Sequence, residues 1–154
     1  MSDIDIDAVL DRAGFDPEES VLTRRQAAVL ALRERDLTQS TIADRFGTSR
    51  ANVASIEASA RDNVRKARET VAVADALHAP VKVPVESGTD LYDVPPAVFD
   101  SCDDAGVKVP HTSPEVLSKV SDGAGDAVVG RQVKTELLVC VGADGSIQVR
   151  RRRD

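Results

Sequence analysis

The chain has 154 residues, enough for one compact domain or two small ones and too few for a large multidomain enzyme. Its net charge of −6, taken as an average, opposes nucleic-acid binding, and no apolar run reaches the roughly 18 residues needed to span a bilayer. The expectation is a cytoplasmic protein with no membrane partner. Cys102 and Cys140 stand far apart and form no CxxC ligand pair, which argues against a disulfide framework or a zinc knuckle and leaves buried free thiols.

Residues 1–20 read as an acidic N-terminal arm in which Ile4, Val9 and Leu10 precede Gly14 and the Asp16-Pro17 break; a short helix and a frayed arm both fit. Residues 21–79, almost free of Gly and Pro, form a helical domain. Thr23 is an N-cap for a helix over 24–35, whose buried stripe is Val29, Leu30 and Leu32, joined by Leu22. Thr38 caps a second helix carrying Ile42, Ala43 and Phe46 at helical spacing, and Gly47 supplies the left-handed residue that ends it. Thr48 or Ser49 caps a third, with Val53, Ile56 and Ala60 facing inward. Val64, Ala67, Val71, Ala74 and His78 continue that face, predicting a helix of up to about 28 residues.

Residues 80–154 read as a small α+β domain whose role the sequence does not reveal. Val81, Val83 and Val85 alternate between Pro80 and Gly88, as an extended linker or edge strand would. Asp93-Val94-Pro95-Pro96 leads into a helix over 97–105 stopped by Gly106, and Ser113 caps another with Pro114 in its first turn. A glycine-rich loop over 122–130 follows. The segments 135–141 and 146–150, joined by Ala143-Asp144-Gly145, form a β-hairpin, and Arg150 to Arg153 close the chain as a disordered basic tail or an extra phosphate contact.

Function is carried by the three-helix segment. A small Ala43, Gly47 four residues on, and the anchors Val53 and Ile56 are what two helices crossing steeply over a short turn require. This is the pattern of a helix-turn-helix; an ordinary helical hairpin is the bland alternative. Charge is zoned to match: residues 24–68 hold ten Arg and Lys against five acids, so the acidic excess lies elsewhere. With Val53 and Ile56 inward, the third helix presents Ser49, Arg50, Asn52 and Ser55 to the major groove of double-stranded DNA. Arg pairs with guanine O6 and N7, Asn with adenine N6 and N7, and hydroxyls with bases or phosphates. Thr38, Gln39 and Thr48, at helix N-termini, position the motif on phosphates or merely cap, and Arg61 and Arg65 meet phosphates or form a solvated basic face. The small-sided stripe on the long helix suits a homodimer matching two half-sites, packing within one chain being the other option. No enzyme is expected, since Cys102, Asp103, Asp104 and His111 have no fixed geometry; no metal site and no cofactor are expected either.

Leu22-Thr23, Arg25, Val29-Leu30, Leu32, Thr38-Gln39, Ile42-Ala43, Phe46-Gly47-Thr48-Ser49, Val53 and Ala60 resemble the helix-turn-helix of LuxR-type regulators and of region four of sigma factors. From Leu22 onward the chain resembles more closely the archaeal Tfx family, on the segment from Thr48 to Glu57, the basic continuation through Arg68, and Gly88-Thr89-Asp90-Leu91-Tyr92. That resemblance implies transcriptional regulation through DNA binding. The alternative is a protein-interaction or ligand-responsive scaffold whose helix-turn-helix contacts the transcription machinery. An excess of Asp over Glu (18 to 8) and of Arg over Lys (15 to 5) is similar to proteins of halophilic archaea.

Overall fold

The side chains of Asp5, Thr23, Thr38 and Thr112 cap the starts of four helices, and Gly47 and Gly106 end two helices in the left-handed conformation. The computed structural model describes residues 3–153, so the first two residues of the acidic arm and the final Asp154 lie outside the described residues. The chain divides into two compact units, Met1–Val71 and Ala72–Asp154.

The first unit is helical: α1 (Ile6–Arg12), α2 (Arg24–Glu34), α3 (Gln39–Phe46) and the larger part of α4 (Arg50–His78). Within the acidic arm the helical alternative is the one formed, because Asp5 caps α1 by accepting from the Ala8 N–H. Thr23 caps α2 in a reciprocal box with Gln26, Thr38 caps α3, and Gly47 ends α3 at φ 65°. Val29, Leu32, Ile42, Ala43 and Val53 form the centre of this unit. Leu30 is only partly buried, and Ala27 and Ala28 complete the inward face of α2, packing with Leu10.

The second unit contains the end of α4, β1 (Val81–Val85), α5 (Val94–Ala105), α6 (Ser113–Ala124), β2 (Val128–Val129), β3 (Gln132–Val133), β4 (Leu137–Val141) and β5 (Ile147–Arg151). The fold is thus a mainly α N-terminal unit with a long helix, followed by a small α+β unit. β1 resolves as a strand, antiparallel to β4 with Val83 opposite Val139, and β5 pairs antiparallel on the other side of β4. Alternation along β1 and β4 sends Val81, Val83, Val85, Leu137, Val139 and Val141 into a core shared with α5 and α6. Leu138 and Cys140 point to the opposite face, where Ala76 and Ala79 pack on them and Gln148 Nε2 donates to Ala72 O at 2.9 Å.

Three expectations for this unit change. Thr112, not Ser113, caps α6: Glu115 sits where its carboxylate reaches back to the Thr112 N–H, and that reciprocal box moves the cap one residue upstream. Gly123 and Ala124 belong to α6 and not to a loop. A Cβ on Gly123 would lie 2.9 Å from Val149 Cβ, so the glycine marks close approach of helix to strand. Arg150 and Arg151 are strand residues of β5 and not a tail, held by β4 and by ion pairs from Arg151 to Asp126 and, beyond the strand, from Arg152 to Glu136.

Candidate nucleic-acid interface

The start of α4 is fixed from both sides. Ser49 is the cap: its Oγ accepts from the Asn52 N–H at 3.1 Å, so of the two expected caps it is the one used. Val53 and Ala60 are completely buried, and Ile56 packs at the edge of the same core. Rotation of the helix about this anchored stripe leaves Arg50, Asn52 and Ser55 exposed together with Ser49, all on the first two turns. Thr48 is partly buried, and its Oγ1 accepts from Asn52 Nδ2 at 2.9 Å. That bond uses one of the two amide hydrogens of Asn52; the second and the carbonyl oxygen are what an adenine edge needs.

Thr38 and Gln39 stand at the start of α3. Thr38 Oγ1 accepts from the Thr41 N–H at 3.1 Å and lies 2.9 Å from Thr41 Oγ1, so its capping role is filled. Gln39 Nε2 donates to Glu57 Oε1 at 3.1 Å. Farther along α4, Arg61 Nε donates to Glu57 Oε2 at 2.8 Å, while Arg65 forks onto Asp62 through Nε and Nη2, with Lys66 on the same carboxylate. Both arginine side chains remain more than half exposed. Arg25 lies over the Phe46 ring at 4.6 Å, a cation–π contact between α2 and α3.

Glu57 was not singled out by the sequence reading. It lies four residues after Val53 and three before Ala60, on the stripe that should be apolar, and a carboxylate at such a position is itself the signal. Its charge is compensated by Arg33, whose Nε lies 2.9 Å from Oε1 as an ion-pair contact without aligned hydrogen-bond geometry, and by Arg61. Burial alone would raise the Glu57 pKa, but the hydrogen bonds from Arg61 and Gln39 and the charges of Arg33 and Arg61 outweigh it and hold the carboxyl below its usual range.

Cys102 is 1 % exposed, and burial with the neighbouring Asp103 pushes its thiol up, away from the reactive thiolate. Among the described residues no three His, Cys, Asp or Glu side chains are grouped as metal ligands, and no helix is long and apolar enough to cross a membrane.

A short turn between α3 and α4, a buried inner stripe and an exposed polar start of the second helix define a helix-turn-helix DNA-binding protein. Residues 67–149 match the family model of the C-terminal part of the DNA-binding protein TFX, and residues 20–66 match region 4 of sigma-70. A protein of Haloarcula marismortui named as a transcriptional regulatory protein is 52 % identical over 147 residues, covering 96 % of this chain and 92 % of its own. One of Methanocaldococcus jannaschii with the same description is 36 % identical over 132 residues, covering 86 % and 96 %. The DNA-binding protein Tfx of Methanothermobacter thermautotrophicus is 32 % identical over 132 residues, covering 86 % and 96 %. The chain belongs to the Tfx family of archaeal DNA-binding transcriptional regulators.

Proposed function

We propose that α4 is the recognition helix, entering the major groove by its first two turns. Arg50 and Asn52 read base edges, and Ser55 and Ser49 bond bases or phosphates. Thr38, Gln39 and Thr48 register the motif on the backbone, with Arg61 and Arg65 adding phosphate contacts. The observation that carries this is the anchored inner stripe of Val53 and Ala60, which leaves these polar side chains as the outward face. Arg50→Ala is expected to lose about 1–3 kcal/mol at one base pair and relax preference there, whereas Arg65→Ala weakens all duplexes about equally and lowers the salt slope by about one. Selection of bound duplexes from a random pool measures both. Unchanged base preferences in Arg50→Ala, Asn52→Ala and Ser55→Ala would sink the assignment, and a chain that selects no duplex at all would favour a protein partner in the transcription machinery.

The regulator acts as a homodimer in the cytoplasm, its second copy seated on α4. Val71 is 60 % exposed and Leu77 73 %, and Val71 continues the seam of Val64, Ala67, Ala74 and His78 at heptad spacing. Arg68 and Asp75 flank that seam one heptad apart, so an antiparallel second copy centred near Val71 places each arginine against the partner's carboxylate at the symmetric position. Val71→Asp is expected to weaken association by about 3 kcal/mol, roughly a hundredfold, through an unpaired buried charge. Sedimentation reads this directly; a wild-type chain that is monomeric at tens of micromolar overturns it.

A further inference from the structure

Glu57 is the one buried charged or polar residue among the described residues, its side chain 9 % exposed, and base reading alone gives it no task. A carboxylate removed from water persists only where partners surround it. Here they come from three helices: Arg33 of α2, Gln39 from the first turn of α3, and Arg61 one turn farther along α4. Two of these three are side chains proposed above to meet the duplex.

We infer that Glu57 is a specificity-determining positioning residue: it fixes Gln39 and Arg61 relative to the recognition helix, and its negative charge restrains what Arg33 and Arg61 offer to any phosphate. A specific complex needs α3 in register on the backbone while α4 is in register on the bases. A non-specific complex needs only charge. One buried carboxylate tied to α3 and α4 therefore supports the first kind of binding and opposes the second. The inference rests on α4 being the reading helix.

The test uses the full chain, a duplex selected from a random pool and an unrelated duplex, each titrated over a range of KCl, with melting temperatures measured beside them. Glu57→Gln is expected to lower the ratio of specific to non-specific affinity by about tenfold while binding to the unrelated duplex is equal or tighter and its salt slope steeper by about one. Gln39→Ala, which removes its bond to Glu57 together with its own phosphate contact, should also lower the ratio at unchanged melting temperature, and the double variant should fall short of the sum of the two single losses, because the Gln39–Glu57 bond is shared. Parallel loss of both affinities, with the ratio kept, overturns the inference and leaves Glu57 a purely structural residue. If Glu57→Gln does not fold, Gln39→Ala decides: a retained ratio overturns it. Arg50→Ala in the same assay separates the two levels. Intact base preference there and in Asn52→Ala and Ser55→Ala removes the reading helix itself, whereas relaxed preference in any of them beside unchanged ratios in Glu57→Gln and Gln39→Ala removes only the positioning role.

Discussion

Alanine at Ile42 is expected to destabilise the first unit by about 2–5 kcal/mol, the range for an isoleucine truncated in a core that cannot collapse around the gap. Ile42 has no exposed surface and meets Val29, Leu32, Ala43 and Val53, which come from all three helices of the motif. No single helix can move to fill the space without displacing the other two. The same truncation at Ile56 should cost less, because its side chain is already partly open to solvent and packs at the margin of that cluster. Denaturant unfolding of the full chain followed by helical circular dichroism measures the pair. A loss below about 1 kcal/mol at Ile42, or a larger loss at Ile56, would contradict the packing described.

Gly145→Ala is expected to be comparably damaging to the second unit. Gly145 adopts φ +82° in the turn between β4 and β5, and a Cβ there would lie 2.4 Å from Pro110 Cδ and 2.5 Å from the Lys108 carbonyl oxygen. The left-handed conformation costs an alanine roughly 1–2 kcal/mol, and forcing apart backbone that is packed this closely adds about 1–3. Gly47 is the control. Its φ is also positive, at +65°, but nothing lies within 4 Å of the added carbon, so Gly47→Ala should incur the conformational term alone. Equal losses at the two glycines, measured by thermal unfolding, would show that the turn is not packed against the segment around Pro110.

The helix-turn-helix could be read from the sequence because its signals are local. Thr23 and Thr38 cap within three residues of themselves, Gly47 needs only its own backbone angle, and the Val53 and Ala60 spacing is a property of one helix. The exposed placement of Arg50, Asn52 and Ser55 followed from that spacing by geometry. What escaped depends on partners distant in the chain. The role of Glu57 needs Arg33 and Gln39 from two other helices. Gly123 looked like a flexible joint because only Val149, supplied by the last strand, reveals why a side chain is excluded there. Thr112 and Ser113 are both good caps, and Glu115 decides between them only through the reach of its carboxylate back to the Thr112 N–H.

The pairing of β1 with β4 also fixes an order of assembly. Val83 finds Val139 only after α5, α6 and the β2–β3 hairpin have been made, so the central strand pair of the second unit closes a loop comprising most of that unit. Contacts of such wide sequence separation bear their entropic cost before they return any stabilisation, whereas α2, α3 and the start of α4 meet across turns of a few residues. During synthesis the duplex-reading head can therefore be complete while β4 and β5 are still to be made. The nascent chain passes through a stage with a competent basic head and an unclosed sheet, in which the alternating valines of β1 are exposed to self-association. Pro84, in the middle of that strand, withholds one ladder donor from any wrong partner while β4 is awaited.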